Sequence, residues 1–181
     1  MKDTGMIRRI DNLGRIVIPK EIRNSMLIKE GSPLHITIEG GNIVLTKYDS
    51  LNSIAEIGEE LCEVLYDCLH FPILMTTTSM PVVCVGVPKK TYINKALSSE
   101  VVKLIHAGQN YIASKSNHTT LIPIVVDEEI KFFSQVLFPI VSDGVCEGML
   151  VALSSDEKEI TQSDIKVLQA IACFAGKQLK L

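Results

Sequence analysis

The stretch that most restricts this chain is Gly5-Met6-Ile7-Arg8-Arg9-Ile10-Asp11-Asn12-Leu13-Gly14-Arg15-Ile16-Val17-Ile18-Pro19. Two short β-branched, apolar runs, residues 5–10 and 15–19, flank the polar turn Asp11-Asn12-Leu13-Gly14, and that arrangement predicts a β-hairpin. Pro19 cannot donate to a strand ladder but suits the first turn of a helix. A helix is therefore predicted from Lys20 to Met26, with Ile22 and Met26 facing inward and Lys20, Arg23 and Asn24 facing outward. Arginines stand at 8, 9, 15 and 23, three of them where a strand meets the turn. Arginine beside a β-turn serves no core, and a guanidinium's paired donors suit an anion.

After a break at Gly31-Ser32-Pro33, Leu34-His35-Ile36-Thr37-Ile38-Glu39 alternates apolar and polar residues as a half-buried strand does. Gly40-Gly41 is a two-residue turn, and Asn42 to Lys47 returns as the partner strand. The first fifty residues thus read ββ-α-ββ. A unit so small buries a low fraction of its surface and is usually supported by disulfides, metals or association. Residues 1–50 contain no cysteine, so an obligate dimer with interleaved strands and one shared core is predicted.

Charge separates the same segment from the rest. Residues 1–29 carry seven Lys/Arg against three Asp/Glu, whereas the whole 181-residue chain has a net charge of −3. The basic N-terminal segment revives nucleic acid as a partner for an otherwise acidic chain. The five cysteines (62, 68, 84, 146 and 173) form no Cys-x-x-Cys pair and each has apolar neighbours, so buried thiols are predicted, with no disulfide frame, metal site or cofactor. No apolar run is long enough for a membrane span and no secretory leader is readable, so the cytoplasm is the expected compartment, with no membrane partner.

The pattern from Gly5 to Arg23, followed by Ile28-x-x-Gly31, resembles the AbrB family of bacterial transition-state regulators over nearly all of residues 1–50. The resemblance implies an intertwined, swapped-hairpin β-barrel dimer that binds double-stranded DNA through outer-surface arginines. By position Arg8, Arg15 and Arg23 match the family's DNA-contacting arginines, and Arg9, Lys20 and Asn24 complete the expected set. The family often has a second arginine where this chain has Asn24, which can hydrogen-bond a base or phosphate but brings no charge. The chemistry agrees: guanidinium groups bind phosphate bidentately and read guanine in the major groove. A merely solubilising basic face is a poorer account, because the four arginines cluster on one turn and one helix start.

Beyond Tyr48-Asp49-Ser50, read as a hinge, residues 51–181 change character. Ile54, Ile57, Leu61, Val64 and Cys68 recur at heptad-like spacing, widened by Leu65 and Leu69, with Glu56, Glu59, Glu60 and Glu63 opposite. Strands are predicted over 71–76 and 82–87 about Ser79-Met80-Pro81, then one helical stretch through Ile93, Leu97, Val101, Leu104 and Ile105. A polar loop over 108–120 carries His118, with His106 just before it, both read as surface residues. A hairpin of 132–141 and 146–153 follows, over Ser142-Asp143-Gly144-Val145. Thr161 and Asp164 announce a capping box, with Ile160 and Ile165 as its hydrophobic staple. The final helix repeats Ile165, Leu168, Ala172, Ala175 and Leu179 at similar spacing. The two stripes predict a helical bundle between subunits, with Ile54, Ile57, Leu61, Val64, Leu168, Ala172, Ala175 and Leu179 at the interface.

A helix-framed antiparallel sheet with Pro139-Ile140-x-x-x-Gly144-x-x-x-Gly148-x-Leu150 before the closing helix is similar to a GAF domain. The predicted fold class is therefore α+β, an AbrB-type barrel over residues 1–50 and a GAF-like sensory or oligomerisation domain over 51–181. The combination resembles a family of sporulation regulators in endospore-forming bacteria. That resemblance implies activation and repression of forespore genes by a nucleoid-associated homotetramer of two DNA-binding dimers. A GAF-like sheet can hold a small ligand against a helix, and the residues name none. Lys89-Lys90 is most simply a solvated helix start. The alternative function is an antitoxin-like interaction module built on the same barrel, although such antitoxins use an extended tail where this chain continues into a patterned domain. No Ser/His/Asp, Cys/His or paired-carboxylate set is readable, so an enzyme is not expected.

Overall fold

The computed structural model describes residues 7–25, 28, 30, 34–47, 50–155 and 158–179. The expected strand start at Gly5, inward-facing Met26, the break at Gly31-Ser32-Pro33 and the Tyr48-Asp49 part of the hinge lie outside the described residues. The chain divides into two compact units, Met1–Tyr48 and Asp49–Leu181.

The first unit contains α1 (Lys20–Ser25), β1 (Leu34–Glu39) and β2 (Asn42–Lys47). β1 and β2 pair antiparallel from Leu34↔Lys47 to Glu39↔Asn42. The two-residue link Gly40-Gly41 takes positive φ at both positions, 55° and 84°, a conformation that glycine adopts without a Cβ clash. The expected N-terminal hairpin is corrected in one respect. Its turn forms, but residues 7–10 and 15–19 are not strands, because neither arm pairs with a described strand.

The second unit is built on a five-stranded antiparallel sheet in the order β4-β3-β7-β6-β5. Its strands are β3 (Ile73–Thr76), β4 (Pro81–Val85), β5 (Tyr111–Ser114), β6 (Ser134–Ser142) and β7 (Val145–Ser154). Alternation sends successive side chains to opposite faces. On one face Ile73, Met75, Val136, Phe138, Ile140, Leu150 and Ala152 meet α2 (Ser50–Leu69) and α5 (Gln162–Gln178). On the other, Leu74, Leu137, Met149, Val151 and Leu153 meet α3 (Lys89–Tyr92), α4 (Ser99–Ala107) and the segment around Ile122–Val125. Ile73, Leu74, Leu137, Ile140 and Met149 are all 0 % exposed. Burial of each such side chain stabilises the fold by about 1.5–3 kcal/mol.

Local chemistry explains the joints. The β6–β7 hairpin turns on Asp143-Gly144, both at positive φ, 47° and 82°. Thr161 caps α5 with Asp164 in a complete capping box, and the stapling residues Ile160 and Ile165 are both buried. Gly148 allows β7 to approach β3 closely: a Cβ there would lie 1.8 Å from the Thr76 carbonyl oxygen. Beside it the Thr76 hydroxyl accepts from the Met149 N–H at 3.1 Å and donates to the Thr77 carbonyl at 2.8 Å.

Three expectations for this unit change. The helical stretch expected through 93–105 is helical only from Ser99, with Ile93 and Leu97 lying between α3 and α4, because Asn94 takes φ 63° and Ser98 starts α4 by accepting from the Val101 N–H. The loop expected over 108–120 contains β5, which pairs with β6 from Tyr111↔Leu137 to Ser114↔Ser134. The cysteines are not uniformly buried: Cys62 and Cys84 are, Cys146 is half-buried, and Cys68 and Cys173 are exposed because they fall off the sheet-facing stripes of α2 and α5. Burial pushes the Cys62 thiol up to about 12.

Candidate nucleic-acid interface

The turn at Asp11 positions the first arginines. The Asp11 carboxylate accepts from the Leu13 N–H at 2.9 Å and the Arg15 N–H at 2.8 Å. Its other oxygen accepts from Arg15 Nε at 2.8 Å. Backbone bonds from Gly14 to Asp11 and from Asp11 to Arg15, both 3.0 Å, close the turn, and Gly14 takes φ 76°. The Arg15 backbone N–H, followed by its side chain, holds the Asp11 carboxyl below the usual carboxylate value. Asp11 was missing from the expected site. Its signal was the Asp-x-x-Gly-Arg spacing, with an aspartate that caps its own turn.

This clasp engages one edge of the Arg15 guanidinium, and the Arg15 side chain stays 70 % exposed. Arg8 and Arg9 lie before the turn, Lys20, Arg23 and Asn24 lie on α1, and all five are exposed. Arg8, Arg9, Lys20 and Arg23 have no ion-pair partner among the described residues. Pro19 is buried, and its carbonyl accepts the Arg23 N–H at 2.9 Å, the bond that opens α1. The proline thus fixes where Lys20, Arg23 and Asn24 begin their helical spacing.

The same elements border an open apolar hollow. Ile7, Arg8, Ile16 to Pro19, Ile22 and Leu45 surround a cavity of about 430 Å³. Both hairpin arms, α1 and β2 therefore converge on one apolar space. Ile7 is 92 % exposed, Ile38 81 % and Val17 74 %.

The eight residues expected at a subunit interface are distributed differently. Ile54, Leu168, Ala172, Ala175 and Leu179 are buried in the core of their own unit. Ile57 and Leu61 are half-buried against that core, and Val64 is 57 % exposed. Val167 and Phe174 on α5, 42 % and 46 % exposed, were absent from the expected set. With 3.6 residues per turn they stand beside half-buried Ile171, outside the sheet-facing stripe. No group of His, Cys, Asp and Glu suited to a metal occurs among the described residues, and no described helix is long and apolar enough to cross a membrane. His106 and His118 are exposed, as are Lys89 and Lys90.

Known proteins match both units. Residues 53–180 match the family "Stage V sporulation protein T C-terminal, transcription factor", and residues 7–52 match "Antidote-toxin recognition MazE, bacterial antitoxin". Stage V sporulation protein T of Bacillus subtilis (strain 168) is 32% identical over 181 residues, covering 99% of each chain. The transition state regulatory protein AbrB of the same organism is 46% identical over 59 residues, 33% of this chain and 62% of that one. Among solved structures, the GAF domain of an Acinetobacter phosphoenolpyruvate-protein phosphotransferase superposes with a TM-score of 0.56 at 12% identity, over 71% of this chain and 85% of that one. A GAF domain/HD domain protein from Geobacter sulfurreducens gives 0.55 at 10%, over 72% and 94%. An AbrB-type first unit, a GAF-like second unit and similarity along the whole length place this chain in the stage V sporulation protein T family of sporulation transcription regulators.

Proposed function

We propose that the chain regulates sporulation genes by binding double-stranded DNA through Arg8, Arg15 and Arg23, with Arg9, Lys20 and Asn24 beside them. The observation that carries this reading is a set of exposed cations gathered around one clasped turn and one helix start. The apolar hollow beside them supports an intertwined dimer: a second copy's hairpin arms would fill it and pair the arms that no described strand pairs. A dimer doubles the cations, and phosphate neutralisation by Lys and Arg releases counterions. Apparent affinity should then fall steeply with salt, and Arg8→Ala or Arg23→Ala should each weaken binding by about 1–3 kcal/mol. Titration of duplex DNA across salt concentrations, with Arg15→Ala included, tests this. Unchanged affinity and a flat salt slope would remove the proposal.

Two such dimers would meet through the outward apolar seam of α2 and α5, Ile57, Leu61 and Val64 with Val167, Ile171 and Phe174. Ile54, Leu168, Ala172, Ala175 and Leu179 support that seam from beneath. The expected assembly is a homotetramer acting in the cytoplasm at the nucleoid, and a dimeric mass by light scattering would reject it. The match of residues 7–52 to an antitoxin family favours a second reading, a toxin-neutralising module. Whole-length similarity to a sporulation regulator weighs against it, and a co-purifying toxin would reverse that judgement.

A further inference from the structure

The sheet of the second unit ends on β4, which pairs with β3 on one side and with no described strand on the other. A groove of about 350 Å³ follows that open edge, bounded by the chain from Val83 to Val87, by Glu59 and Glu63 of α2, and by Lys89. At one end the Tyr66 ring closes over Gly86, where a Cβ would lie 2.4 Å from the ring. Glu59 and Glu63 are both exposed, and neither has an ion-pair partner among the described residues. On α2 they project from the flank opposite Ile57, Leu61 and Val64, so the groove lies away from the apolar seam assigned above to self-association.

An open strand edge offers a row of backbone N–H and C=O groups to any added strand. Elsewhere the molecule guards such edges: β6 runs past the end of β5 and carries Pro139 there, and β5 is followed by Lys115. β4 carries no charge, and its one proline, Pro81, stands at the first position of the strand and leaves Val82-Val83-Cys84-Val85 free to accept a neighbour. We propose that this edge is a docking site for an extended, basic peptide segment of a partner protein. The segment adds as a sixth strand and sets a lysine or arginine against Glu59 and Glu63. Alternation along the added strand places every second side chain on the α2 side, so the recognised pattern is basic and apolar residues in turn. Lys89 in the same lining favours a carboxylate beside it. A second copy of β4 is the poorer occupant, since a symmetric edge pair would bring two Glu59–Glu63 rows together, and like charges oppose such contacts.

The proposal is independent of the DNA-binding reading, and its failure would leave the arginine surface untouched. The test is selection of a random-hexapeptide phage library on the full-length protein, followed by anisotropy titration of the enriched peptides. Peptides alternating apolar with Lys or Arg should be enriched. Glu59→Gln/Glu63→Gln protein should bind them roughly threefold to tenfold more weakly, as two partly exposed ion pairs predict. N-methylation of alternate peptide nitrogens in the register that faces β4 should cost more than about tenfold, because those N–H groups would supply the ladder. Enrichment of no alternating basic sequence, or equal binding to the double variant, would overturn the proposal. So would a lower oligomer mass for that variant, which would give the edge to a second copy.

Discussion

The two units use the same kinds of residue to opposite effect. In the second, Ile73, Leu137 and Ile140 are 0 % exposed. In the first, Ile7, Ile38 and Ile43 are 92 %, 81 % and 70 % exposed. β-branched residues at strand spacing have no reason to face water in a finished structure. The difference marks the second unit as one with its own core and the first as one whose apolar residues the proposed dimer would cover. The stronger DNA-binding signal thus lies in the less self-sufficient half.

The sharpest break of this comparison is Gly148→Ala. Its Cβ would collide with the Thr76 carbonyl, so the second unit should lose about 3 kcal/mol or more in denaturant unfolding. A loss below about 1 kcal/mol would mean that β3 and β7 separate easily and the unit is less tightly built than described. Next comes Ile38→Ser. At a position that stays exposed, such a change costs within about 0.5 kcal/mol. In a shared barrel it should weaken dimerisation by about 2 kcal/mol, read by sedimentation across concentration. An unchanged monomer–dimer midpoint would make the first unit self-sufficient after all.

The smallest effect concerns the turn. Asp11 has a folded-state pKa below its ordinary 3.8, so its ionised form supports the turn above about pH 3.8. That support is lost as pH falls through the lowered value. Asp11→Asn should therefore differ from the parent chain at neutral pH and converge with it in acid. The amide shifts of Leu13 and Arg15 would report this, and a pH-independent difference would exclude the Arg15 pairing as its cause.

What could be read in advance follows from how local each signal is. The Gly40-Gly41 and Asp143-Gly144 turns and the Thr161–Asp164 cap are decided by neighbours within a few residues, and they were legible. β5 was hidden because Tyr111–Ser114 is only four residues long and its pairing comes from β6, twenty or more residues away. Asn94 broke an apolar periodicity that continues on either side of it. The α2 stripe was visible, but spacing alone could not say which part would meet its own sheet. Contact with β3 and β4 took Ile54, Cys62 and Leu65 inward and left Val64 outside. At the candidate site the arginines were plain, while the aspartate that clasps one of them looked like an ordinary turn residue.

The junction between the units has a consequence for the DNA itself. β2 ends at Lys47 and α2 begins at Ser50. The two intervening residues keep those ends within about 10 Å of each other even when fully extended, whereas a twenty-residue flexible linker would wander over about 25 Å. In the proposed tetramer so short a tether would limit how far apart the paired arginine surfaces can reach, and DNA sites spaced beyond that reach should be bound no better than single sites.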